Sequence, residues 1–155
     1  MGISFLRTYA KAGPDATLSR SVNTLVIAPD FDVPIVPNES MSLRYVLLWN
    51  SQAATTGIAL ALAGPASPAL VRYITRIWTS LTAVPSLKIN TAFGSELLVS
   101  AGILTPALLL AEIDATVVNG PNEGSVSLQW RSEVNGSNVF LQPGSGVVAS
   151  TSVHP

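Results

Sequence analysis

Short runs in which apolar and polar side chains take alternate positions, each soon closed by glycine, proline or asparagine, constrain this chain more than any other feature of it. Leu43, Tyr45, Leu47 and Trp49 fall on one side of an extended segment while Ser42, Arg44, Val46 and Leu48 fall on the other. A period of two is the mark of a strand with one buried face. Ile58, Leu60 and Leu62 alternate with Ala59, Ala61 and Ala63 until Gly64-Pro65 ends the run, giving a bulky face and a thin one open to close approach by another layer or subunit. Val71, Tyr73, Thr75, Ile77 and Thr79 alternate with Arg72, Ile74, Arg76 and Trp78 in the same way.

The second half repeats the pattern. Lys88 to Phe93 reads as a short strand, and Ser95 to Leu110 as strand, loop, strand, because Pro106 rules out one continuous element. Ala111, Ile113, Ala115 and Val117 alternate with Glu112, Asp114, Thr116 and Val118 before the turn formers at 119–124, after which Val126, Leu128 and Trp130 resume it, so the two runs read as a hairpin. Asn135-Gly136, followed by Val139 to Leu141, is the strongest hairpin signal, and Pro143-Gly144 fits a type II turn ahead of a last strand from Val147 to Val153. Ile3 to Val22 has no sustained period. The expected fold is all-β: a single-domain antiparallel sandwich or barrel of eight to ten strands, jelly-roll-like, over residues 23–155, with an N-terminal arm or first strand over residues 1–22.

Charge narrows the function classes. Eight basic and nine acidic residues among 155 leave a net charge of -1, whereas nucleic acid and anionic membrane surfaces both call for a basic footprint, so neither is expected as a partner. Only 11% of the chain is charged, against about 25% in ordinary soluble domains. No charge lies between Arg44 and Arg72 or from Leu97 to Ala111, yet glycine and proline interrupt both stretches too often for a membrane helix. The missing charge reads as surface that other protein covers, since obligate interfaces resemble a core cut in half. The absence of cysteine removes disulfides and thiolate chemistry, and Met1 to Arg7 lacks the apolar stretch of a secretory signal, so export is not expected.

Material for catalysis is thin, and no catalytic, cofactor-binding or metal-ligating residue is expected. The one histidine, His154, stands next to the last residue, and the serine of Gly144-Ser145-Gly146 has glycines directly beside it where a nucleophile elbow spaces them two away. Glu112 and Asp114 share a strand face, as paired carboxylates of a glycosidase could. With Arg131 and Glu133 on a like face of the neighbouring strand, cross-strand or inter-subunit ion pairs are the expected use of all four. Asp30-Phe31-Asp32 lacks the further oxygen ligands of a calcium loop and reads, between Pro29 and Pro34, as a turn with exposed carboxylates. No phosphate-binding glycine motif occurs. Trp49, Trp78 and Trp130 fall in apolar alternation or at strand ends, which assigns them to core or interface packing.

Two longer segments, LRYVLLWNSQAATTGIALALAGP from Leu43 to Pro65 and IDATVVNGPNEGSVSLQWRSEVNGSNVFLQPGSGV from Ile113 to Val147, resemble small β-rich virion proteins of tailed bacteriophages. The resemblance rests on Tyr45 and Trp49 leading into Ala54-Thr55-Thr56-Gly57 and Gly64-Pro65, then Gln129-Trp130, Asn135-Gly136 and Pro143-Gly144-Ser145, and covers somewhat over a third of the chain. It implies a sandwich that assembles as a homotrimer on the particle surface, and it transfers no functional residue. The expected role is capsid decoration or cement in the virion, assembled in the host cytoplasm, with the chain itself and the major capsid protein or another virion protein as partners. A receptor- or glycan-binding fibre tip is the alternative. The segment Ile3 to Val22 is basic by three to one, against five basic and eight acidic residues elsewhere. Its apolar handle and adjoining cation, Ile3, Phe5, Leu6, Arg7 and Tyr9, form the expected contact with particle or neighbour, by adding a strand to an exposed edge.

Overall fold

Alternation becomes twelve strands in the computed structural model, which describes the backbone of residues 5–153 and the side chains of 8–152. They are β1 (Phe5–Ala12), β2 (Leu18–Arg20), β3 (Val26–Ile35), β4 (Glu39–Ser51), β5 (Ile58–Ala63), β6 (Leu70–Ile77), β7 (Ser86–Asn90), β8 (Leu97–Leu98), β9 (Leu109–Val118), β10 (Gly124–Ser132), β11 (Val139–Leu141) and β12 (Gly146–Val153). Among the described residues no helix is long and apolar enough to cross a membrane.

The strands form two antiparallel sheets packed face to face, a jelly-roll-like sandwich. The larger runs β1-β12-β4-β9-β6-β7, with β11 on the far end of β4 and β2 beyond it; the smaller runs β3-β10-β5-β8. Central β4 turns Met41, Leu43, Tyr45, Leu47 and Trp49 inward, where they meet Phe31, Val33, Leu60, Leu62, Val126, Leu128 and Trp130 of the smaller sheet; all are buried. Each such aliphatic side chain contributes about 1.5–3 kcal/mol over exposure to water. The two buried polar tips reach carbonyl oxygens. The Tyr45 hydroxyl lies 3.2 Å from the Phe31 carbonyl and 3.3 Å from that of Val126, and the Trp49 indole N–H donates to Leu110 at 3.3 Å.

Strand positions follow the alternation, but two pairings do not follow the turn signals. β9 and β10 are not a hairpin: β9 pairs with β4 and β6, and β10 with β3 and β5. The 119–124 turn carries the chain from one sheet to the other, pinned by buried Asn119, whose amide nitrogen donates to Val36 at 2.9 Å and Asn122 at 2.6 Å. Asn135-Gly136 makes the expected tight turn, with Gly136 at φ 84°, yet β11 joins β4 and β2 rather than β10. A turn reverses the chain; whether the next strand lies beside or across the core depends on which side has room. The Pro143-Gly144 turn stands as expected, with Gly144 at φ 93° and Ser145 N–H donating to Gln142 at 3.3 Å.

Asp30-Phe31-Asp32 lies inside β3 rather than in a turn. The register against β10 shifts between Ser127 and Gln129, a bulge that holds Asp30 at φ 66° and aims Phe31 into the core. Much of the charge-free run from Arg44 to Arg72 serves the chain's own core, because Ile58 to Leu62 are buried on both faces of β5. Its alanine face is covered without a second subunit. The N-terminal segment takes its first-strand form: β1 pairs with β12 over its whole length, Phe5 opposite Val153 and Ala12 opposite Gly146.

Candidate interaction surface

Of the residues expected to make contacts, Ile3 lies outside the described residues, as does His154. Phe5, Leu6 and Arg7 belong to β1 by their backbone, and Tyr9 packs half-buried against the core. Neighbouring Lys11 reaches across to the smaller sheet and meets Asp32 at 2.7 Å. That hydrogen bond raises the Lys11 ammonium and lowers the Asp32 carboxyl from their ordinary values.

The four charged residues expected to pair with one another divide between two sites, because β9 and β10 lie in different sheets. Glu112 and Asp114 project from β9 on the outer face of the larger sheet, where Arg44 of β4 and Arg76 of β6 flank them. Arg44 contacts Glu112 at 2.8 Å and Asp114 at 3.8 Å, while Arg76 contacts Asp114 at 2.6 Å. Two cations and two anions thus neutralise one another across three strands, Arg44 facing Asp114 directly and reaching Glu112 on the diagonal, as Arg76 reaches Asp114. Arg131 of β10 instead grips Glu96, its Nε donating to Oε2 at 2.8 Å and its Nη2 to Oε1 at 2.5 Å. The pair lowers the Glu96 carboxyl and raises the Arg131 guanidinium. Glu133 accepts the Gly57 N–H at 3.0 Å, so it fixes a turn. The carboxylates at 112 and 114 are each held by arginine. Among the described residues no group of three or more acidic, His or Cys side chains could hold a metal ion.

Exposed apolar surface gathers at one end of the larger sheet. The β6–β7 connection, with Leu81 71% and Val84 90% exposed, meets the 99–108 connection through the Leu104 N–H, which donates to Thr79 at 2.8 Å. Leu104 and Leu108 are exposed beside it, and Leu48, Trp78, Leu81, Leu108 and Leu110 line a shallow groove of about 250 Å³. Neither Ile77 to Leu87 nor Leu97 to Ala111 contains a charged residue. The fold therefore joins two uncharged segments into one uncharged surface. Trp78 is half-buried there, whereas Trp49 and Trp130 are core residues. The sequence reading found the second segment but missed the first; counting charge-free residues past the last alternating position of β6 would have found it.

No protein-family model matches the chain, and no curated protein matches it. Its fold is similar to that of chains in solved structures of an infectious bursal disease virus VP2 subviral particle, at 11% identity and TM-score 0.26 over 95% of this chain and 40% of that one. A structure of the Gt strain of the same virus gives 12% identity and TM-score 0.27 over 95% and 39%. The chain spans about two fifths of the length of these viral chains. Likeness this slight carries no functional inference.

Proposed function

We propose that this is a non-enzymatic structural protein of a tailed-bacteriophage virion, a homotrimer that decorates the capsid surface and strengthens it by binding neighbouring capsid subunits. The observation that carries the reading is the uncharged end of the sandwich. Leu81, Val84, Leu104 and Leu108 project together from two connections that hold no charged residue. Exposed apolar surface of this kind, bordered by polar groups, marks a protein contact. Three copies on one trimer engage a lattice simultaneously, so modest individual contacts add up to tight attachment. A glycan-binding tip is favoured less, because Trp49 and Trp130 are buried and offer no stacking face.

Particles produced by the genome that encodes this chain provide the test. The chain should be present in them as an ordered surface feature by electron microscopy, and Leu81→Asp with Val84→Asp should keep its far-ultraviolet circular dichroism yet fail to co-sediment with particles. Purified particles devoid of the chain overturn the virion assignment. Full retention of the double variant on particles overturns the assignment of this end as the contact.

A further inference from the structure

An open sheet edge pairs with whatever strand reaches it unless something blocks it. The sandwich has four such edges in its two main sheet paths, at β1, β7, β3 and β8. β3 is blocked: it carries Pro29 and Pro34, which cannot donate to a ladder, and its bulge interrupts the register. β8 is two residues long. β1 and β7 have eight and five residues, contain no proline, and have no second backbone partner among the described residues.

We infer that β7 of one copy pairs antiparallel with β1 of the next, closing three copies head to tail into a ring whose larger sheets are continuous. This deepens the homotrimer proposed above and depends on that part of it alone. Strand direction permits it. Five successive antiparallel pairings separate β1 from β7, so the two run in opposite directions, and a neighbour set alongside continues the alternation. Packing favours it, because Leu87 and Ile89 are 55% and 65% exposed on the outer face of β7, and pairing with Thr8 and Ala10 of a neighbour covers them. A contact between two different patches generates a closed ring or an open filament, according to the rotation between copies.

The absence of cysteine permits a clean test. Ala10→Cys and Ile89→Cys lie on the same outer face, joined by the register Ala10, Val148, Arg44, Asp114, Ile74, Ile89 across six strands. At about 4.8 Å per strand spacing they are roughly 24 Å apart within a copy, and a disulfide needs Cα atoms within about 7 Å. Oxidation of the double variant, and of Ala10→Cys with Leu87→Cys for a register two residues away, should give covalent dimer and trimer on a non-reducing gel, ending at three. Each single variant should remain uncrosslinked. Circular dichroism matching the parent confirms that the variants fold. A protein that sediments as a monomer at micromolar concentration overturns the ring. So do crosslinks in the single variants, which mean like edges meet, and a ladder running past three overturns closure. Presence on particles tests the virion role separately, whichever way this result falls.

Discussion

Replacing Glu96 with glutamine removes one charge from the pair that fastens the β7–β8 connection to β10. Arg131 donates two hydrogen bonds to that carboxylate, and the side chains are 15% exposed for Arg131 and 29% for Glu96. Hydrogen bonds to a charged group contribute about 1.5–3 kcal/mol, and partial access to water screens the attraction. Glu96→Gln should therefore cost about 1–2 kcal/mol at neutral pH, which in a domain of this size lowers Tm by roughly 2–8 °C. Because Arg131 holds the Glu96 carboxyl below its ordinary value, the native state keeps it ionised where the unfolded chain has begun to take up a proton. The contribution is complete above the ordinary glutamate pKa of about 4.3 and drains away as pH falls through the lowered native value. Urea unfolding of the parent, Glu96→Gln, Arg131→Met and the double variant, at fixed protein concentration and at pH 7 and 3, measures both effects. Coupling energy below about 0.3 kcal/mol at pH 7, the ordinary scatter for independent sites, refutes the reasoning. So does a gap between parent and Glu96→Gln that fails to narrow in acid.

Two further outcomes follow from the packing. A methyl group at Gly57 would stand 1.5 Å from the Val99 carbonyl oxygen, which belongs to backbone and cannot step aside, so Gly57→Ala should lose several kcal/mol and recover little soluble protein, while Gly136→Ala, with open space around it but φ 84°, should cost only about 1 kcal/mol. Burial raises the Tyr45 and Tyr73 phenols above their ordinary value, Tyr45 the more strongly; alkaline difference spectra should show both ionising later than a free tyrosine, with Tyr45 silent until the protein unfolds and stability falling as pH rises past about 10, where the unfolded phenols ionise.

Residue by residue, the strands were legible and their partners were not. The alternation of Ala111 to Val118 and of Val126 to Trp130 is the same whether the two runs lie side by side in a hairpin or face each other across a core, because both arrangements bury one face of each strand. Glu112 and Asp114 could be placed on an outward face from the sequence. Their arginine partners could not, since Arg44 and Arg76 arrive through β4 and β6, far away along the chain. Low charge has two origins. In Ile58 to Leu62 it reflects burial inside the chain's own sandwich, and in Leu97 to Ala111 it contributes to exposed surface; only a structure separates them.

The pairing of β1 with β12 has a consequence for synthesis. Of the ten strand pairings among the described residues, β6 with β7 alone joins consecutive strands. β4 acquires its two long neighbours only when residues 109–118 and then 146–153 leave the ribosome. Until the first of these a thirteen-residue alternating strand, apolar along one face, stays open on both sides, and until the second it stays open on one. A topology of this kind folds slowly, so the nascent chain is most prone to aggregate in the interval before residues 146–153 emerge.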